Sequence, residues 1–436
     1  MKRTSSFVIL LLCMLLLTTL CQAQCDSIVA AELQKYGVQF SNNNSVVVFK
    51  NGQEKFDDLF PAIRRARHSV HLEYFNFRND SIASMLFDIL AEKVKEGVKV
   101  RALFDGFGND SNNQPLKKKH LRNLRERGIE IYEFDPIRFP WVNHIWPRDH
   151  RKIVVIDSKI AYTGGMNVAD YYIKGTPQVG TWRDMHCRIE GDAVDELQKI
   201  FLRMWNKVTK QRIADTDSNE NDNENDNHQP SALNHSGSFD TSGLKIDTTS
   251  TRGRKTVGIV NREPRTSNEI MRVMYCTSID NAKSHIQIIN PYFTLLPCVK
   301  KALRRALKRG VNVEIMISLN SDVPLTPDCV FFQAHTMMKC GAKVYVYKPG
   351  FHHSKIMTVD DSFCTIGSTN LDARSLSCDY EVNALILDHH TTAELMEIFE
   401  NDKKDCFLLT PETWNQMRTR WQKTRGWLAH LLSPFL

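Results

Sequence analysis

Two stretches of this chain place an imidazole, an amine and a carboxamide at matching intervals. His150-Arg-Lys152 runs into the apolar Ile153–Ile156, then Asp157, and Asn167 closes the stretch after Gly164-Gly-Met. His353-Ser-Lys355 runs into Ile356–Val359, then Asp360, and Asn370 follows Gly367-Ser-Thr. The two histidines stand 203 residues apart, and so do the two asparagines. An imidazole can attack an electrophile or move a proton near neutral pH. An ammonium and an amide beside it suit an oxyanion such as phosphate. On an extended chain side chains alternate, so each His/Lys pair shares one face. A single pair of this kind carries little information; two with identical internal spacing carry a great deal.

The elements that must hold these residues are also written twice. Gly97-Val-Lys-Val and Gly310-Val-Asn-Val open matching β-rich runs, and Gly128-Ile-Glu-Ile and Gly341-Ala-Lys-Val open a second pair. Pro136 and Pro349 follow, and each of these three pairs is 213 residues apart. Helix-length basic stretches ending in glycine lead into the runs, which is the alternation of an α/β domain. Each half reads as strand–helix–strand–helix–strand, followed by the His/Lys element. The shorter offset at the histidines predicts a longer loop before His150, around 138–146.

Between the halves, Asp215 to Asp226 holds six acids and no Lys or Arg. The stretch 215–254 is rich in Asp, Asn, Ser and Thr and lacks the apolar mass to offset its ordering entropy. It reads as an acidic linker between domains at 24–214 and 255–436. Lys2 and Arg3 followed by the apolar run Phe7–Leu20 and Cys21-Gln-Ala23 read as an export signal over 1–23. Cleavage after Ala23 is the expectation, with an uncleaved anchor as the alternative.

The 436 residues carry 42% hydrophobic and 25% charged side chains, which excludes a polytopic membrane protein, a fibrous chain and a mostly disordered one. The formal charge is +7 despite the acidic run, so the folded body suits anionic partners. Of the eleven cysteines two fall in the signal; the others form no CxxC pair and read as buried thiols, not zinc ligands.

Taken together, the paired motifs resemble the phospholipase D superfamily, and bacterial cardiolipin synthases in particular. The stretches that carry the resemblance include His71-Leu-Glu-Tyr-Phe-Asn-Phe-Arg78, Thr163-Gly-Gly-Met-Asn167, Trp182-Arg-Asp-Met-His186, Pro349-Gly-Phe-His-His-Ser-Lys355 and Gly367-Ser-Thr-Asn-Leu-Asp-Ala-Arg-Ser375. The resemblance implies an α/β fold of two tandem repeats, each a mixed sheet flanked by helices, packed face to face as a pseudo-dimer around one shared site. It implies His150 as the nucleophile that forms a phosphohistidine and His353 as the acid/base, with Lys152, Lys355, Asn167 and Asn370 around the phosphate. Asp157 and Asp360 complete the catalytic motif by residue type, although their place at the far end of a buried strand points to a structural role. A carboxylate about thirty residues downstream orients each histidine, which gives Asp184 and Glu381.

The function so implied joins two phosphatidylglycerols into cardiolipin with release of glycerol. A secreted phospholipase D making phosphatidic acid, or a nuclease of the same superfamily, are the alternatives. The expected partners are phosphatidylglycerol, other anionic phospholipids and a membrane surface; nucleic acid and an obligate protein partner are not expected, nor is a cofactor or metal. Export to the outer face of a membrane follows from the signal. Two features stay open at this level: the aromatic loop Phe139–Trp146, which suits either a lipid interface or a lid, and the tail from Trp427, a packed helix with one apolar face.

Overall fold

The computed structural model describes residues 25–138, 146–214, 253–324 and 326–432. The export signal, nearly all of the linker and the loop residues 139–145 lie outside the described residues.

The first half contributes β1 (Phe40–Phe49), β2 (Ser69–Tyr74), β3 (Lys99–Asp105), β4 (Glu130–Phe134), β5 (Ile153–Ile156), β6 (Ile160–Gly164), β7 (Thr181–Arg183) and β8 (His186–Glu190). The second contributes β9 (Lys255–Arg262), β10 (His285–Ile289), β11 (Asn312–Ser318), β12 (Lys343–Tyr347), β13 (Gly350–His352), β14 (Ile356–Val359), β15 (Phe363–Gly367), β16 (Glu381–Leu387) and β17 (Cys406–Leu408). Fifteen of these form one mixed sheet in the order β17-β12-β11-β10-β14-β15-β16-β9-β1-β8-β6-β5-β2-β3-β4. Reading outward from the β9–β1 junction, the two sides are the same series, with β17 added at one edge. β2, β3 and β4 pair in parallel, as do β10, β11 and β12.

Helices connect the parallel strands as the repeats predict: Ser81–Lys95 between β2 and β3, and Pro297–Lys308 between β10 and β11. The Asp80 carboxylate caps the first helix through the Ala83 N–H. Gly97 and Gly310, and likewise Gly128 and Gly341, end their helices at φ between +85° and +104°. That left-handed turn is why glycine recurs just before each strand.

The apolar runs after the motifs are buried on both faces. Val154 and Ile156 meet helix residues Leu59, Leu86 and Leu90 of the first half. Ile153 and Val155 instead join Ile356, Ile366, Val382 and Ala384 in a core shared by both halves. The halves are therefore packed face to face through β6 against β15 and β16, and also stitched edge to edge through β1 and β9. The described cysteines form no disulfide, and four are buried and five half-buried.

Candidate active site

The motif histidines do not lie on the central sheet. β5 begins at Ile153 and β14 at Ile356, so His150–Lys152 and His353–Lys355 are extended segments that lead into strands. Each segment finds its backbone partner in the other half. Asp149 bridges to Tyr380, and the His150 N–H donates to the Tyr380 carbonyl at 3.0 Å. β13 pairs in parallel with β7, and the His353 N–H donates to the Arg183 carbonyl at 2.6 Å. Tyr380 and Arg183 directly precede Glu381 and Asp184, so the crossing carries the carboxylates with it.

His150 Nδ1 consequently donates to Glu381 Oε1 at 3.0 Å, and His353 Nδ1 donates to Asp184 Oδ2 at 2.7 Å. The expectation of a carboxylate downstream in the same repeat thus finds the right residues with the partners exchanged. Both carboxylates are fully buried. With Nδ1 engaged, Nε2 of His150 is the nitrogen left for chemistry, while Nε2 of His353 faces Lys355 Nζ at 3.0 Å.

Lys152 and Lys355 are buried, and each Nζ donates to the carbonyl of the histidine two residues before it. Lys355 Nζ also stands 2.8 Å from His353 Nδ1 and 3.0 Å from Nε2, against the ring. Burial pushes the Lys152 amine down to about 7 and the Lys355 amine to about 8, although Glu381 and Asp184 oppose the shift in both. The Oδ1 atoms of Asn167 and Asn370 are buried without a partner, and it is the Nδ2–H groups of these amides that can donate to an oxyanion.

The two histidines are not electrostatically equal. Burial drives His150 well below its usual value, and Lys152, Lys355, His353 and Arg374 all add to the push. At His353 burial again dominates and Lys355 adds to it, but Asp184 opposes both by charge and by hydrogen bond. His150 is held as the neutral ring, and His353 takes a proton more readily.

Against known proteins, residues 59–205 and 275–403 match the family described as "Cardiolipin synthase, PLD-like domain". A cardiolipin synthase of Halalkalibacterium halodurans is 34% identical over 421 residues, covering 93% of this chain and 75% of the relative. The major cardiolipin synthase of Bacillus subtilis is 34% identical over 404 residues, covering 91% and 76%. The chain belongs to the cardiolipin synthase family. A solved phosphatidylserine synthase from Haemophilus influenzae Rd KW20 overlays 94% of the chain and 100% of itself at a TM-score of 0.67 and 14% identity, which shows a shared fold.

In this cardiolipin synthase family chain the motif aspartates stand apart from the cleft. Asp157 accepts the N–H groups of Arg67, His68 and Ser69 at 2.7–2.9 Å. Asp360 accepts those of Lys283, Ser284 and His285 at 2.6–2.8 Å. Each sits past the far end of its four-residue strand, about 16 Å of extended chain beyond the lysine, and pins the start of β2 or β10. The structure removes both from the catalytic set.

A cavity of about 410 Å³ opens beside His150, lined by Phe75 of the first half and by Tyr292, Val323, Cys329, Asn370 and Ala429 of the second, among others. His353 is not among the lining residues of that cavity; Trp182, Tyr292 and Phe351 surround it at ring distances of 5.4–6.0 Å. Tyr292 is part of the site wall, while its neighbour Phe293 is core. His352, which adjoins His353, is buried and bonded to Asp402 at 3.0 Å.

Sequence reasoning missed two contributors. Ser368 Oγ donates to Glu381 Oε2, whereas its equivalent in the first half is Gly165, where a Cβ would fall 2.2 Å from Asp184 Oδ1. The difference between Gly-Gly and Gly-Ser is visible in the motifs, but its consequence for the two carboxylates is not. Lys55 is wholly buried in helix Gly52–Arg64 and donates to the Met166 and Asn167 carbonyls at 3.2 and 3.0 Å, so it holds the turn that carries Asn167. Nothing in its spacing marks it.

Proposed function

We propose that the chain transfers a phosphatidyl group from one phosphatidylglycerol to the headgroup hydroxyl of another, giving cardiolipin and glycerol. The observation that carries this reading is the pair of exchanged His–carboxylate contacts in one cleft, within a chain whose relatives are cardiolipin synthases.

His150 enters as the neutral ring, Nδ1–H on Glu381, with the Nε2 lone pair free to attack phosphorus. As the N–P bond forms, the bond from phosphorus to the headgroup glycerol oxygen breaks. His353 gives that oxygen its Nε2 proton and is left neutral on Asp184. The positive charge of the phosphoimidazolium faces Glu381. In the second step the incoming hydroxyl loses its proton to His353, bonds to phosphorus and expels His150. Lys152, Lys355, Asn167 and Asn370 stabilise the phosphoryl oxygens through both steps. Phe75 stands edge-on to His150 at 5.1 Å and Trp182 and Tyr292 stand against His353, so aromatic carbon flanks the transferring phosphoryl group and limits water, which favours an alcohol acceptor.

Within this reading the signal directs export, and the mature protein attaches peripherally to the outer face of a membrane. Among the described residues no helix is long and apolar enough to cross a bilayer.

The deciding experiment is to give purified protein lacking residues 1–23 phosphatidylglycerol in mixed micelles and analyse lipids and free glycerol by mass spectrometry. Cardiolipin with equimolar glycerol is the expected result. Phosphatidic acid as the only product would mean a phospholipase D, and no lipid turnover would overturn the reading.

A further inference from the structure

The last described helix, Arg420–Leu432, carries Arg420, Lys423 and Arg425 and no acidic residue. It packs along helix Thr326–Lys339. Gly426 marks the closest approach, since a Cβ there would come within 2.4 Å of the Asp328 carbonyl oxygen. Arg418 and Arg425 both pair with the Asp328 carboxylate, and Gln333 bonds with His430. These contacts commit one face of the helix.

At 100° per residue, Trp421, Trp427 and Leu428 then fall on an arc of about 120° on the opposite face. They are 65%, 49% and 45% exposed. Such rings leave water only for something apolar, and Arg420 and Lys423 beside them, with no acid on the helix, suit a negatively charged surface. The same helix also borders the catalytic cavity: Ala429, about 100° round the helix from Leu428, lines it, and so does Val323, itself 44% exposed, while His150 and Asn370 lie within.

We propose that this helix is an interfacial docking element. It lies on an anionic phospholipid surface with Trp421, Trp427 and Leu428 at the acyl boundary, and its Ala429 side walls the cavity through which an acyl segment enters beside His150. The proposal rests on the lipid-transfer reading and adds where the bilayer sits and which lipid segment the cavity takes.

The test uses the full chain, with vesicles of phosphatidylcholine alone or mixed equally with phosphatidylglycerol, and the triple variant Trp421→Ser/Trp427→Ser/Leu428→Ser. The wild-type chain should float with the mixed vesicles, less so in high salt and less with phosphatidylcholine alone. The variant should bind at least about tenfold more weakly, having lost three interfacial side chains. Its KM for vesicle phosphatidylglycerol should rise, and its turnover of monomeric short-chain phosphatidylglycerol should stay at the wild-type level. In the unmodified chain, bromine-labelled phosphatidylglycerol should quench tryptophan fluorescence, a readout independent of how the variant folds. Full vesicle binding by the variant, absence of quenching, or a wild-type dimer that the substitutions dissociate would each overturn the docking helix. A chain that floats but turns over neither form of phosphatidylglycerol would sink the proposed reaction and leave the docking intact.

Discussion

Glu381 of the second repeat accepts the Nδ1–H of His150 of the first at 3.0 Å, and the reciprocal contact joins Asp184 to His353 at 2.7 Å. Because the carboxylates are exchanged, neither repeat holds a complete catalytic pair. The exchange is enforced by backbone, through the bonds from the His150 and His353 amides to Tyr380 and Arg183. A half-molecule would have no oriented imidazole.

The exchange can be read directly. Glu381→Gln should shift the ring-nitrogen NMR signals of His150 and leave those of His353 nearly unmoved; Asp184→Asn should do the reverse. Turnover should fall by about 10²–10⁴-fold in either, as it does when a triad carboxylate becomes an amide. Same-repeat coupling in the spectra would contradict the geometry.

The unequal electrostatics of the two rings separate their roles. His150→Ala and His353→Ala should each remove nearly all turnover, since residues that act as one unit lose function together. Only the His353→Ala protein should trap a phosphatidyl group when quenched with labelled lipid, and peptide mapping should place it on His150. A label on His353 in the His150→Ala protein would exchange the assignments.

The depressed amines predict a pH dependence in binding. A lysine pushed down to about 7 or 8 is charged below that pH and neutral above it. Attraction for the phosphodiester is therefore present at low pH and lost as pH climbs through that window. KM for phosphatidylglycerol should rise above about pH 8, in line with loss of the Lys152 and Lys355 charges. Lys152→Met should bind poorly at every pH, and a flat KM in the wild-type chain from pH 6 to 9 would exclude this role.

The Gly165/Ser368 difference should make the repeats non-interchangeable. Gly165→Ser drives a Cβ into Asp184 Oδ1 and should cost at least about 100-fold in turnover by displacing the carboxylate that orients His353. Ser368→Gly should be milder, about tenfold, because Glu381 keeps its histidine. Equal effects of the two exchanges in steady-state assays would refute this account.

Asp360 should matter for folding and not for chemistry. Asp360→Ala leaves three amides at the head of β10 unpaired and should lower stability by about 2–4 kcal/mol. Activity per folded molecule should stay within about threefold of wild type, measured alongside denaturant melts.

Much of this was legible from the amino-acid order because it is local and repeated. A strand of Ile-Val-Val-Ile, a glycine at the end of a helix and a histidine two residues before a lysine are fixed by side-chain chemistry and spacing, and the second copy removed the ambiguity a single copy leaves. The sequence by itself therefore determined the two repeats and the paired His/Lys segments, and the family resemblance singled out Asp184 and Glu381, which the structure places against the two histidines. Which carboxylate serves which histidine was decided by tertiary structure, because spacing along one repeat says nothing about a strand crossing to the other. The same holds for Lys55, whose role arises only when helix Gly52–Arg64 presses it onto the turn at Asn167. It holds too for the cavity beside His150, whose walls are contributed by Phe75, Asn370 and Ala429 from opposite ends of the chain. Contacts between residues hundreds of positions apart come from how sheets and helices pack, and no local pattern records them.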